Sequence, residues 1–186
     1  NLGPDIAMVL DECPIATAER DYVLKSVDRT TAWAKRALDA RKREDVAWFG
    51  IVQGALFEDI RRDHAQAISE LPFDGVAIGG VSVGEEKEEI DRIVRYTTPL
   101  LPENKPRYLM GVGTPEDLVR GVAAGVDMFD CVMPTRNARN GCLFTGTGKL
   151  IIKNSVHKHS DLPVDEDCEC YTCETISRGF LRHLFR

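Results

Sequence analysis

The sequence predicts an α/β fold that forms a central-to-C-terminal portion of a (β/α)8 barrel, on three observations. Five short apolar runs alternate with four amphipathic stretches of helical period, which is the signature of a parallel sheet with crossover helices. A glycine or a polar residue follows the end of each run, as expected where a site is built at the C-terminal rim of a barrel. No G-x-G-x-x-G follows the first run, which argues against a doubly wound dinucleotide-binding sheet. A complete barrel takes ~250 residues, so the 186 residues here would supply only part of one.

Taken in order, Ile6–Leu10 reads as a buried strand and runs into Asp11-Glu12-Cys13-Pro14. Arg29–Arg43 has helical periodicity, with Trp33, Ala34 and Leu38 on one face. Ala47–Val52 is the second strand, ending at Gln53-Gly54, and Phe57–Leu71 the second helix. Gly75–Ile78 ends at Gly79-Gly80 and is followed by a helix over Glu85–Leu100. Tyr108–Met110 ends at Gly111-Val112-Gly113, where Thr114 and Pro115 offer an N-cap and a first helical residue. Val126–Phe129 closes the series at Asp130. Beyond it the pattern changes. Cys142–Thr145 and Lys149–Lys153 predict a β-hairpin around Gly146-Thr147-Gly148. An acidic irregular stretch, Asp161–Asp167, leads to a terminal helix over Thr175–Arg186. The chain is therefore expected to divide into barrel units over residues 1–141 and a small metal-binding subdomain over 142–186.

Composition narrows the function. With 43% hydrophobic residues and 29% charged, the chain can bury a core and is not a disordered tail. No apolar run approaches the ~18–20 residues of a membrane span, and no signal peptide opens the chain. The net charge is -6, yet Cys131–Ser160 holds five basic residues and no acid. That leaves 19 basic against 30 acidic residues on the remainder. A basic stretch on an acidic body suits a local polyanion contact; on charge alone, a solvated basic loop fits equally well.

The six cysteines do not suggest a disulfide framework. Cys168, Cys170 and Cys173 fall within six residues, while Cys13, Cys131 and Cys142 are scattered. Three thiolates so spaced are typical of a tetrahedral zinc site in a reducing, cytoplasmic setting. A fourth ligand is not evident, with His157, His159 and His183 in the neighbourhood. At the strand ends, Asp11, Gln53, the Gly79-Gly80 pair and Asp130 offer carboxylates, a carboxamide and backbone N–H groups. This set suits the edge of an amide-bearing heterocycle such as guanine. Asp130 is the candidate nucleophile at an anomeric carbon. Arg136 and Arg139 beside it can hold phosphates or bases of a nucleic acid.

The segments MVLDEC, GIVQG, AIGGVSVGE, YLMGVG, FDCVMPTRNARNG and CECYTC, in this order from Gly3 to Arg186, resemble bacterial-type tRNA-guanine transglycosylase, also called queuine tRNA-ribosyltransferase. The resemblance implies a (β/α)8 barrel with a zinc-binding insertion, and exchange of the wobble guanine of GUN-anticodon tRNAs for 7-aminomethyl-7-deazaguanine. It makes Asp130 the nucleophile of a covalent enzyme–tRNA intermediate. Asp11, Gln53 and the Gly80 N–H then read the base edge, with Gly79 completing the turn. Val81 stands where the family has a Leu whose carbonyl meets the aminomethyl group. Met110 packs on the base face, Cys13 lines the pocket, Arg136 and Arg139 contact the anticodon loop, and Cys168, Cys170 and Cys173 are ligands of a structural zinc. The resemblance further implies a cytoplasmic homodimer with no membrane association. It places a second essential Asp and an aromatic in an N-terminal segment, and a fourth zinc ligand, a His, beyond Arg186. The isolated 186 residues are accordingly expected to be inactive. Two rival readings stand beside this one. They are a queuine-using enzyme of the same family and a non-catalytic tRNA-binding partner subunit of the same fold. An unrelated barrel glycosidase would not need both the glycine pair and the basic run.

Overall fold

The computed structural model describes residues 3–185. It forms two compact units, Asn1–Cys131 and Val132–Arg186. The helix holding Arg136 and Arg139 thus belongs to the second unit.

The first unit is a five-stranded parallel sheet: β1 (Ile6–Met8), β2 (Ala47–Val52), β3 (Gly75–Ile78), β4 (Arg107–Leu109) and β5 (Met128–Phe129), hydrogen-bonded in chain order. Parallel neighbours need long crossovers. These are α1 (Arg20–Asp39), α2 (Glu58–Ser69), α3 (Lys87–Thr97, continued by a 3-10 turn) and α4 (Pro115–Ala123). The strand order never reverses, so there is no switch point of the doubly wound kind. Strands β2 and β3 are almost wholly buried, as expected of a parallel sheet with covered faces. The core gathers Ile51, Val52, Val76 and Ile78 from the strands with Ile68, Phe73, Ile93 and Leu101 from the crossovers.

Local chemistry explains most boundaries. Thr114 caps α4 by accepting from Asp117 N–H, while the Asp117 carboxylate accepts from Thr114 N–H, and Pro115 begins the helix. The expected helix over Arg29–Arg43 instead runs Arg20–Asp39. Its buried residues Val23, Val27, Thr30 and Ala34 recur every three or four positions. The stripe thus begins nearly three turns ahead of Trp33, with no side-chain cap at Glu19 to announce it.

The second unit holds α5 (Met133–Arg139), the antiparallel pair β6 (Cys142–Thr145) and β7 (Gly148–Ile151), and α6 (Tyr171–Thr175) and α7 (Arg178–Leu184). The hairpin turns on Gly146-Thr147, and the Asp165 carboxylate accepts the Gly146 N–H. Of the terminal helix expected over Thr175–Arg186, α7 forms Arg178–Leu184, while Thr175 instead ends α6. Ser177 starts α7 as its N-cap by accepting the Phe180 N–H; Arg186 lies outside the described residues. Among its described residues, only Ile152 and Val164 are buried hydrophobics in this unit. Side chains on backbone carbonyls supply much of the rest: Arg178 donates to Pro163 and Val164, and Arg182 to Lys153 and Asn154.

Gly75 faces Phe49 in the sheet, and a Cβ there would lie 2.3 Å from the ring. Gly75→Ala should therefore destabilise the protein by about 1–3 kcal/mol, read as a shift in the urea midpoint at unchanged slope.

Candidate active site and metal centre

Because the strands run parallel in one order, their C-terminal ends lie side by side. They open into a cleft of about 370 Å³. Asp11, Cys13, Gln53, Gly79, Gly80, Val81, Met110 and Asp130, all singled out from sequence, line it. So do Tyr108, Gly111, Ser82 and Val83, which sequence reasoning did not assign.

On one side, Gln53 is fully buried, and its Nε2 donates to Asp11 Oδ2 at 2.6 Å. The carboxamide keeps a second N–H, and its Oε1 has no protein partner. The glycine pair is a packing requirement here. A Cβ on Gly79 would come within 2.6 Å of Gln53 Nε2, and one on Gly80 within 2.3 Å of Gln53 Oε1. Gly80 also has φ +64°, which favours glycine. The Gly80 N–H and the Gln53 carboxamide favour the Cys13 thiolate, but they are outweighed. Burial and then the Asp11 charge push that thiol above its usual pKa, leaving it a poor nucleophile.

On the other side, the exposed Asp130 takes two hydrogen bonds on the same oxygen. Tyr108 Oη donates to Oδ1 at 2.7 Å and the Gly111 N–H donates to it at 2.8 Å. Burial, then the bond to Asp130, raises Tyr108 to about 12, so the phenol stays protonated as a donor. Neither bond uses Oδ2. The carboxylate is held in one orientation with its second oxygen outside that clamp. Tyr108 was legible after all, since it lies two residues before Met110 and therefore on the same side of the strand.

The chain matches the family model for queuine tRNA-ribosyltransferase over residues 1–186. The chain belongs to this family. Similar proteins are the queuine tRNA-ribosyltransferases of Lysinibacillus sphaericus (54% identical over 187 residues), Listeria monocytogenes serotype 4a (55% over 186) and Halothermothrix orenii (51% over 185). Each match covers all of this chain and 49%, 49% and 50% of the relative, respectively. The chain thus spans about half the length of the curated relatives it matches. No helix among the described residues is long and apolar enough to cross a membrane.

In this member of the queuine tRNA-ribosyltransferase family, Cys168, Cys170 and Cys173 bring their Sγ atoms within 4.8 Å of one another. A tetrahedral ion with bonds of ~2.3 Å sets its sulfurs near ~3.8 Å apart, so small side-chain rotations complete the approach. The donor set fits a metal ion. Among the described residues no fourth ligand joins them, and His157, His159 and His183 are not in the group. The Cys170 thiol is drawn below its usual pKa, chiefly by the Cys173 backbone N–H, and burial raises that of Cys173. Arg136 and Arg139 are exposed on α5, a helix with no buried residue.

Beneath the cleft, His64 Nδ1 accepts the Gln53 N–H at 2.9 Å, which fixes the neutral tautomer with its proton on Nε2. Burial lowers its pKa from 6.5 to about 4, with Arg61 adding to the shift. The unfolded chain therefore binds a proton that the folded one refuses between these values. The contribution of His64 is full above about pH 6.5 and is lost as pH falls toward 4. Urea unfolding at pH 7, 6 and 5 should show this loss in the wild type, and H64Q should lack that component. Parallel pH dependences in the two proteins would refute it.

Proposed function

We propose that this protein is a tRNA-guanine transglycosylase that exchanges the wobble guanine of GUN-anticodon tRNAs for 7-aminomethyl-7-deazaguanine. The observation that carries this reading is a clamped carboxylate, Asp130, sharing one cleft with the Asp11–Gln53 pair. With Oδ1 held by Tyr108 and Gly111, Oδ2 attacks C1′ of the wobble ribose. The bond to guanine N9 breaks and its electron pair leaves with the base. A 7-deazaguanine then enters the same place; its N9 attacks C1′ and gives up its proton to water, the C1′–Oδ2 bond breaks, and Asp130 is released as a carboxylate. Two displacements at one carbon retain its configuration.

The base lies between the two sides of the cleft. Asp11 accepts from its ring N–H and amino group, the second Gln53 N–H and the Gly80 N–H donate to its carbonyl, and Met110 packs on its face. The Val81 carbonyl meets the aminomethyl group, and a Val in place of the family's Leu keeps a queuine-using enzyme as the alternative reading. Arg136 and Arg139 hold the anticodon loop through charge-assisted bonds to phosphate. A binding-only subunit has no use for a carboxylate held by two donors on one oxygen, and this disfavours the partner-subunit reading. The sheet belongs to a (β/α)8 barrel, with residues 142–186 as its metal-binding insertion, in a cytoplasmic homodimer.

Cys168, Cys170 and Cys173 would hold zinc, which supplies a cross-link to a unit with little core of its own. In the full-length protein, Cys170→Ala should lose one equivalent of zinc by elemental analysis and lower the melting temperature. Full zinc content in C170A would end this assignment.

Asp130→Asn is nearly isosteric but a far poorer nucleophile. In the full-length protein it should abolish both the covalent adduct with a guanine-bearing anticodon stem-loop and exchange of labelled guanine, while the protein still folds. Exchange at near wild-type rate would remove Asp130 from the role of nucleophile.

A further inference from the structure

Helix α2 carries its apolar stripe through Ile60, His64, Ala65 and Ile68, and Arg61 lies on that stripe, fully buried. Its guanidinium is spent on backbone carbonyls. Nε donates to Ala55 O at 2.6 Å, and Nη2 donates to Gly79 O at 3.0 Å and to Gly80 O at 2.9 Å, while Nη1 has no protein partner. Among the described residues no carboxylate lies at ion-pair distance from it. Glu85 is the acid acting on it most strongly, with the Cys13 thiol next, and Arg92 opposes them. Burial lowers its pKa to about 10, so the group is still a cation at neutral pH.

A buried cation without a counter-ion is costly, and holding three carbonyls does not by itself require a charge. The place of the charge is informative. A Cβ on Gly80 would stand 3.2 Å from Arg61 Nη2 and 2.3 Å from Gln53 Oε1, so only the glycine turn separates the guanidinium from the cleft.

Under the reaction proposed above, on which this inference rests, the Asp130 oxygen forms its bond to C1′ as the C1′–N9 bond breaks. The carboxylate loses its charge as it becomes an ester, and the base leaves as an anion that water then protonates. Negative charge thus moves from Asp130 onto the base. We propose that Arg61 is the positioning residue for base release: it holds the Gly79-Gly80 turn by both carbonyls and sets a positive charge without an ion-pair partner behind it, toward which the departing base's negative charge is drawn.

The test compares formation of the covalent adduct in a single turnover by full-length wild type, R61M and R61K. The substrates are anticodon stem-loops carrying guanosine or 7-methylguanosine at the wobble position. The second base is already cationic in the nucleoside and departs neutral, so it needs no help from a nearby cation. R61M should slow the guanosine reaction by about 10–100-fold with unchanged RNA affinity, and the 7-methylguanosine reaction far less; R61K should recover most of the lost rate. Equal losses on both substrates, or a wild-type rate in R61M, would overturn the proposal. If R61M fails to fold, R61K decides: a selective loss on guanosine smaller than tenfold supports the role, and an equal loss on both RNAs overturns it. Where the wild type leaves 7-methylguanosine untouched, the R61K-to-R61M ratio on guanosine decides in the same way. A wild type forming no adduct with guanosine RNA would instead overturn the base-exchange reading, and this inference with it.

Discussion

Parallel strands paired in chain order all end on the same rim, whatever the length of the crossovers between them. That constraint lets residues as distant in sequence as Asp11 and Asp130 line one cleft. Each strand contributes what its last residue can offer. β1 and β5 run into carboxylates, β2 into a carboxamide, and β3 and β4 into backbone N–H groups. The strands themselves are two to six residues long and carry almost no polar side chains. Their role is to fix spacing, and the loops carry the chemistry.

The turn after β3 shows how closely packing and chemistry are tied. Gln53 fills the space that side chains on residues 79 and 80 would need, and Arg61 binds the carbonyls of the same two residues from below. Enlarging the turn, moving the carboxamide or shortening the arginine would each disturb the other two. The Asp130 side is simpler. One phenol and one backbone N–H meet one carboxylate oxygen, with Gly111 at φ +74° presenting its N–H after β4.

Much of this was legible in the residues. Four of the five strands fall inside the apolar runs and β4 starts one residue ahead of its run, at Arg107, because short buried strands bounded by Gly, Gln or Asp leave little freedom for other readings. The rim residues were legible for the same reason: they follow those runs directly. What escaped had no periodicity to betray it. Helix α5 buries none of its residues, so Met133–Arg139 shows no apolar stripe. The start of α1 was hidden because polar and small residues, Ser26 and Thr30, occupy buried positions beside Val23 and Val27. Arg61 and His64 were missed although both sit on the stripe of α2 with Ala65 and Ile68. A charged or titratable residue at a core position of an otherwise regular helix is a signal in itself, since its burial demands a partner or a purpose.

Gln53 Oε1, Arg61 Nη1 and His64 Nε2 are all buried without a protein partner, and all lie on β2's end or on α2. Each unpaired group costs stability, of order 1–3 kcal/mol for a neutral one and more for a charge. The three are also linked: His64 fixes the backbone of Gln53, and Arg61 fixes the glycines against which the Gln53 carboxamide packs. Of the three, Gln53 lines the cleft, while Arg61 and His64 lie behind it and hold its surroundings in place. The carboxamide that lines the cleft is thus fixed by packing and by hydrogen bonds from behind, and the unpaired atoms of its two supports are a cost of that arrangement.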